Sequence, residues 1–168
     1  MLTRDWSSDV CSSDLGRINH LVNNPGHTRP ATFHRRLGEI LYAGCGVSRS
    51  EEGLKRALEQ VQELREEFWR DVRVAGTDDR LNQELEKAGR VADFLELAEL
   101  MITDALDRQE SCGAHFREEY ALPDGEAKRD DERWCNVSAW ETNPAGQHRR
   151  YQEPLRFESV KLQVRNYR

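Results

Sequence analysis

The stretch SRSEEGLKRALEQVQELREEFWRDVRV, residues 48–74, carries the clearest helical pattern in the sequence. Its apolar residues recur every three or four positions, which places them on one face of an α-helix: Leu54, Leu58, Val61, Leu64, Phe68 and Val72. Ser48 and Glu51 have the S-x-x-E spacing of a capping box. Glu51 and Lys55 are opposite charges four residues apart, which stabilises an exposed helix surface. We therefore predict a long amphipathic helix here, and with it a helical fold.

Two further helices are predicted on either side of this one. Residues 31–42 follow a proline suited to the first helical turn, and residues 80–108 follow Asp78 and Asp79, whose charge favours a helix N-terminus. The longer helix has two adjacent apolar stripes, which indicates packing on two sides. The second stripe consists of Val91, Phe94, Ala98, Met101 and Ala105. The exposed part of this second stripe is a candidate docking surface.

The pattern changes after residue 113. Residues 134–140 and 155–164 have the short apolar runs of strands, and the polar stretch 141–153 between them is predicted to be a loop. We predict a mainly α fold: a three-helix antiparallel bundle over 30–113, followed by a small β-strand tail over 114–168.

The N-terminal residues require separate treatment. DWSSDVCSSDL, residues 5–15, matches the translation of a common sequencing adapter, so we expect residues 1–15 to be an assembly artefact. The chain is then expected to be a fragment whose authentic sequence enters at Gly16. Residues 16–29 contain Asn-Asn-Pro-Gly and little apolar periodicity, so they are interpreted as a connector from a preceding domain.

Composition excludes several classes of protein. The 168 residues are 33% charged with a net charge of −6, and the mean hydropathy is −0.86. No run approaches the roughly 20 apolar residues of a membrane helix, and the acidic balance disfavours a nucleic-acid partner. Neither G-x-G-x-x-G nor G-x-x-x-x-G-K-[ST] is present, so no nucleotide-binding fingerprint is found. The four cysteines include no C-x-x-C pair, which argues against a zinc ribbon.

Three groups of side chains invite a metal or redox interpretation, but ordinary structural roles are favoured for all of them. Pro25 and Gly26 interrupt any helix that would align the histidines as ligands. The cysteines are too far apart in sequence for cluster ligation, and the acidic run has no neighbouring ligand pattern. The groups are His20, His27 and His34; Cys45, Cys112 and Cys135; and Asp130, Asp131 and Glu132.

Several segments resemble one known family. HRRLGEILYAGCGVSRSEEGL (34–54), LNQELEKAGRVADFLELAELM (81–101) and DALDRQESCGAHFREEY (104–120) are similar to the C-terminal helical domain of the succinate dehydrogenase and fumarate reductase flavoprotein subunit. RDDERWCNVSAWE (129–141) continues the similarity. The most specific string is E-S-C-G-A-H, in which Cys112 stands where many relatives have Arg.

The resemblance implies a function for the parent subunit. It would hold FAD, interconvert succinate and fumarate, and pass electrons through an iron–sulfur subunit to quinone. A cysteine at position 112 is similar to the branch of the family whose flavoprotein subunit is paired with a di-haem membrane anchor. The complex would sit on the inner, cytoplasmic face of the cell membrane. This chain would lack the catalytic, flavin and metal sites, which leaves it a structural role against the missing flavin-binding domain.

The resemblance also singles out a candidate docking cluster for that domain. Its members are Glu110, Ser111, His115, Arg117 and Glu118. The alternative for His115 and Arg117 is a local role, because such side chains can bind the free carbonyls at a helix end. Two other functions stay open: part of an L-aspartate oxidase-like flavoenzyme, and a free-standing helical interaction domain.

Overall fold

The computed structural model describes residues 8–76, 81–143 and 147–163. It contains four long helices, which are α1 (Ser8–Asn23), α2 (Pro30–Gly44), α3 (Glu51–Asp71) and α4 (Gln83–Asp107). The shorter elements are β1 (Ser48–Arg49), β2 (Phe116–Arg117), a 3₁₀ turn (Glu118–Tyr120), α5 (Asp131–Trp134), β3 (Asn136–Thr142) and β4 (His148–Pro154). The predicted mainly helical fold with a small strand tail is confirmed, although the long helices number four rather than three.

The core lies where α2, α3 and α4 meet. Phe33 of α2 and Phe68 of α3 are fully buried, and their rings pack edge to face with centroids 5.2 Å apart. Of the six predicted periodic residues, five are buried and Leu58 is partly buried against the core; the buried five are Leu54, Val61, Leu64, Phe68 and Val72. Ala57, which was not predicted, is also buried. Gly44 lets α2 approach α3 closely, since a Cβ there would lie 2.6 Å from the Cβ of Ala57.

The N-cap of α3 lies two residues later than predicted. Ser50, not Ser48, is the N-cap, and its Oγ accepts a hydrogen bond of 3.1 Å from the Gly53 amide. Ser48 belongs instead to β1, where it pairs with Phe116 of β2 in a parallel bridge. The predicted Ser48–Glu51 capping box is therefore wrong, because pairing with Phe116, which is distant in sequence, holds Ser48 in a strand.

Helix α4 is slightly shorter than predicted. Its N-cap is Asn82, whose side-chain oxygen accepts hydrogen bonds from the amides of Glu84 and Leu85. Asp78 and Asp79, the expected acidic start, lie outside the described residues. The helix ends at Asp107, within one residue of the predicted end. No described helix has the length and apolar character to span a bilayer.

The expected connector is helical over residues 16–23, which form the C-terminal half of α1. Leu21 is buried, and the Arg17 guanidinium donates hydrogen bonds to the Gly89 carbonyl and to Asp93 of α4. Leu21 is the one buried apolar side chain described in α1, and polar contacts of Arg17 and His20 supply much of the docking, so the apolar periodicity of this segment is weak. The division of the chain into artefact, connector, bundle and tail remains a prediction.

The tail is an antiparallel hairpin whose second strand was predicted in the wrong place. β3 pairs with β4 so that Trp140 is opposite Arg150. The predicted strand 134–140 overlaps β3, but β4 occupies part of the predicted loop, and residues 155–163 contain no strand. β4 is stabilised by polar contacts across the strands, such as the hydrogen bond from Tyr151 to Glu141. Because its residues are mostly polar, its sequence has no alternation of apolar and polar residues.

Candidate functional site

The candidate site is built around the C-terminal end of α4. The C-terminal end of a helix leaves backbone carbonyls without hydrogen-bond donors. Here the side chain of Arg117 is the donor. Its Nη1 donates hydrogen bonds to the carbonyls of Ala105 and Leu106 at 2.9 and 3.1 Å. Arg117 is only 1% exposed, so the cation that closes the helix is inside the protein. We call residues 108–120, which wrap around this helix end, the clasp.

Arg117 is held in place by neighbours within the clasp. Its backbone amide donates to Ser111 Oγ at 2.8 Å, and the Ser111 hydroxyl donates back to the Arg117 carbonyl at 3.1 Å. Its Nε donates to Glu119 at 3.1 Å. The other oxygen of Glu119 accepts from the Glu51 amide at 2.6 Å. The buried charge is thus paired and hydrogen-bonded, as a buried cation requires, and the network reaches the start of α3.

His115 joins the clasp to β1. Because a guanidinium can only donate, the 2.8 Å contact with Arg49 Nη1 makes His115 Nδ1 an acceptor. Nε2 then donates to the Arg108 carbonyl at 3.1 Å. The imidazole ring is therefore neutral, and both of its nitrogens form hydrogen bonds. Burial lowers the pKa of His115 below its ordinary value; the hydrogen bond to the Arg108 carbonyl raises it in part, and the positive charges of Arg49, Arg108 and Arg117 lower it further.

Glu110 joins the clasp to the following loop. Its carboxylate is 2% exposed; one oxygen accepts two hydrogen bonds from Arg108 and the other accepts from the Asp130 amide at 2.9 Å. Arg108 also donates to the Trp134 carbonyl at 3.0 Å. This ion pair therefore fixes where the chain leaves α4 and where α5 begins.

The structure brings the five predicted docking residues together but gives them different environments. Glu110, Ser111 and Arg117 are buried and bound to other parts of this domain. Arg117 binds the free carbonyls at the end of α4, which is the local role predicted from the sequence as the alternative to docking. Only Glu118 is exposed, and it accepts a hydrogen bond of 2.8 Å from Ser48. Direct contact of this cluster with another domain remains a prediction, and it would involve Glu118 and the half-buried His115.

The other residues singled out in the sequence have local structural contacts. His20 bonds the Trp69 carbonyl, and His27 pairs with Asp71. Asp130 caps α5 and Asp131 pairs with Arg129. Cys45, Cys112 and Cys135 are free thiols, and burial raises the pKa of Cys45. Among the described residues, no three potential ligands come together to hold a metal ion.

A shallow apolar groove runs along the seam between α2 and α4. It has a volume of about 260 Å³ and is lined by His34, Leu37, Gly38, Leu41, Phe94, Leu97, Ala98 and Met101. Phe94, Leu97 and Met101 are 40%, 52% and 47% exposed. Phe94 and Met101 belong to the predicted second stripe, whereas Leu97 and the α2 side of the groove were not anticipated. Their position depends on how the two helices pack.

The hairpin docks on α4 through aromatic and charged side chains that sequence reasoning missed. Trp140 Nε1 donates to Asp104 at 3.1 Å, and Arg150 forms an ion pair with Asp107. The guanidinium of Arg150 lies 6.0 Å from the ring centroid of Trp134 and 5.9 Å from that of Trp140. A Trp-rich segment followed by arginines was the available signal, since such cations stack on indole rings.

Comparison with known proteins gives a consistent set of relatives. The family model "Fumarate reductase flavoprotein C-term" matches residues 34–167. The fumarate reductase flavoprotein subunit of Proteus vulgaris is 30% identical over 145 residues, which are 86% of this chain and 23% of that protein. The succinate dehydrogenase flavoprotein subunit of Bacillus subtilis is 27% identical over 118 residues, which are 70% of this chain and 19% of that protein.

A solved structure agrees with these sequence matches. The flavoprotein chain of E. coli quinol fumarate reductase superposes with a TM-score of 0.75 at 27% identity. The superposition covers 91% of this chain and 25% of that one. The present chain therefore spans about a quarter or less of the length of these relatives.

Proposed function

This chain belongs to the family of fumarate reductase flavoprotein C-terminal domains, and on that basis we propose that it is the helical docking domain of a flavoprotein subunit that interconverts succinate and fumarate. The match to subunits of both fumarate reductase and succinate dehydrogenase supports this chemistry for the parent protein. The chain itself would contribute a rigid surface rather than reacting groups.

We assign the flavin to the part of the subunit outside these residues. The sequence contains no G-x-G-x-x-G phosphate loop, the kind of loop that places backbone amides and a helix N-terminus against a dinucleotide pyrophosphate. In the parent subunit, bound FAD would supply the two-electron chemistry. The proposed chain of partners is an iron–sulfur subunit, a membrane anchor and quinone, with the complex on the cytoplasmic face of the membrane.

The type of anchor is proposed from one residue. Cys112 stands where many relatives have Arg, and this departure resembles the branch paired with a di-haem anchor. In the structure Cys112 is half-buried, and its backbone pairs with His115 by hydrogen bonds of 2.8 and 3.1 Å. The turn is therefore formed without an arginine at this position.

The apolar groove carries the docking proposal. The polar groups at the end of α4 are paired inside the domain, whereas Phe94, Leu97 and Met101 expose adjacent apolar surface. Exposed apolar side chains that lie next to one another support an interaction site at this groove. We assign the groove to the flavin-binding part of the same polypeptide, because this chain covers only 23% and 25% of the lengths of two flavoprotein relatives.

The test begins with the native DNA upstream of the Gly16 codon. If the reading frame encodes a flavin-binding domain, that domain and this chain are expressed as separate polypeptides and mixed. We expect a yellow complex to co-elute on size exclusion, while this chain alone purifies without colour. The double variant Leu97→Glu, Met101→Glu should abolish the complex, because it places charge in the groove.

The matched control is Val160→Glu, which adds charge at a residue that is 70% exposed and distant in sequence from the groove. It should leave complex formation unchanged. Equal binding by the groove variant and the wild type would refute the docking surface. A stop codon and a start site upstream would instead support the free-standing helical interaction domain.

A further inference from the structure

A single histidine connects two segments that are far apart in the chain. β1 follows α2 and pairs in parallel with β2 of the clasp, where the Phe116 amide donates to the Val47 carbonyl at 3.1 Å. Beside this pairing, His115 Nδ1 accepts from Arg49 of β1 at 2.8 Å. We propose that His115 is an acid-sensitive latch, which holds β1 against the clasp only while its imidazole ring is neutral. This proposal does not depend on the flavoprotein assignment.

The hydrogen-bond chemistry explains why the ring must be neutral. The ring donates from Nε2 to the Arg108 carbonyl at 3.1 Å, which leaves Nδ1 as the acceptor for Arg49. Protonation places a hydrogen on Nδ1, where it points at a guanidinium that can only donate. The contact then changes from a hydrogen bond to an approach of two cations.

The charged groups around the ring strengthen this effect. Arg49 comes from β1, Arg108 from the end of α4, and Arg117 from β2, and all three are positive charges that oppose protonation. The nearby carboxylates are bound elsewhere: Glu110 by Arg108, Glu119 by Arg117 and the Glu51 amide, and Glu118 by Ser48. No carboxylate of the described residues bonds the ring to stabilise its charged form.

The direction of the pH effect follows from these surroundings. The pKa of His115 in the folded protein is lowered from 6.5, mainly by burial; the hydrogen bond to the Arg108 carbonyl opposes this shift, and the three arginines lower the pKa further. The opened state therefore binds a proton more readily than the closed state. The latch is fully closed above about pH 6.5 and weakens as the pH falls below that value, since the proton then favours opening.

Native-state hydrogen exchange at the Phe116 amide tests the latch directly, because this amide bonds across the β1–β2 pairing. In the wild-type chain we expect protection, corrected for intrinsic exchange, to fall about tenfold or more between about pH 7.5 and about pH 5. In His115→Gln the fall should disappear, because the side-chain amide can still accept from Arg49 and donate to the Arg108 carbonyl but does not titrate.

His34→Gln is the matched control, since His34 is exposed and remote from the clasp in sequence. It should keep the wild-type pH dependence. Equal protection of the wild type at both pH values would overturn the proposal, as would the same fall in His115→Gln. If that variant does not fold, the ring nitrogens of the wild type can be observed by NMR at neutral pH. The proton should be on Nε2, and a proton on Nδ1 would overturn the latch.

Discussion

The bundle and the C-terminal part of the molecule are stabilised in different ways. Residues buried in α2, α3 and α4 are almost all apolar, whereas every buried residue described after residue 107 is polar: Glu110, Ser111 and Arg117. Apolar burial is non-directional and roughly proportional to area. Paired charges contribute only when their geometry is right. The bundle should therefore tolerate changes of shape, while the clasp depends on a few individual hydrogen bonds.

The largest effect is expected when the apolar core itself is broken. Phe68→Ala removes a fully buried ring that packs on Phe33, and it should lower the free energy of unfolding by about 3–5 kcal/mol. Chemical denaturation followed by circular dichroism measures this loss. Phe94→Ala, at a residue that is 40% exposed, should cost less than about 1 kcal/mol. Equal losses in the two variants would contradict the core described above.

The next effect separates the clasp from the bundle. Arg117→Met keeps most of the side-chain length but leaves the Ala105 and Leu106 carbonyls without their donor. We expect a loss of about 2–3 kcal/mol, with hydrogen-exchange protection lost at Phe116 before it is lost in α3. Arg133→Met, at an exposed site, should change stability by no more than about 0.5 kcal/mol. Simultaneous loss of protection in both regions would show that they are one cooperative unit.

The smallest effect distinguishes two possible starts of α3. Ser50→Ala removes the hydroxyl that accepts from the Gly53 amide and should cost about 1 kcal/mol, the usual contribution of an N-cap. Ser48→Ala removes only an exposed hydrogen bond to Glu118, so its cost should be clearly lower. Thermal unfolding of both variants compares them. A larger cost at Ser48 would restore the capping box predicted from the sequence.

The helices of the bundle could be predicted because the pattern that identifies them lies within each segment of sequence. The apolar residues of α3 recur at helical spacing, and that pattern alone identifies its buried face. The start of α3 could not be fixed in the same way, because Ser48 and Ser50 are both plausible caps. The choice is made by Phe116, which pairs with Ser48 from 68 positions further along the chain.

The clasp and the hairpin were harder to predict because their contacts are not periodic. The resemblance brought Glu110, Ser111, His115, Arg117 and Glu118 to attention, but not the carbonyls and arginines that they bind. β4 was missed because its most buried residue is Arg150, whose guanidinium lies near the indole rings of Trp134 and Trp140 and pairs with Asp107. A charged residue in that role gives no apolar signal, whereas the apolar run 155–163 is exposed.

The placement of the tryptophans gives each region its own optical reporter. Trp69 packs on Phe68 in the bundle, with ring centroids 5.2 Å apart, whereas Trp134 and Trp140 flank Arg150 under the hairpin. Indole emission moves to longer wavelength when the ring meets water. With Trp6 and Trp69 replaced by Phe, the remaining fluorescence would therefore follow the release of the hairpin from α4, while the circular dichroism of the same sample follows the helices.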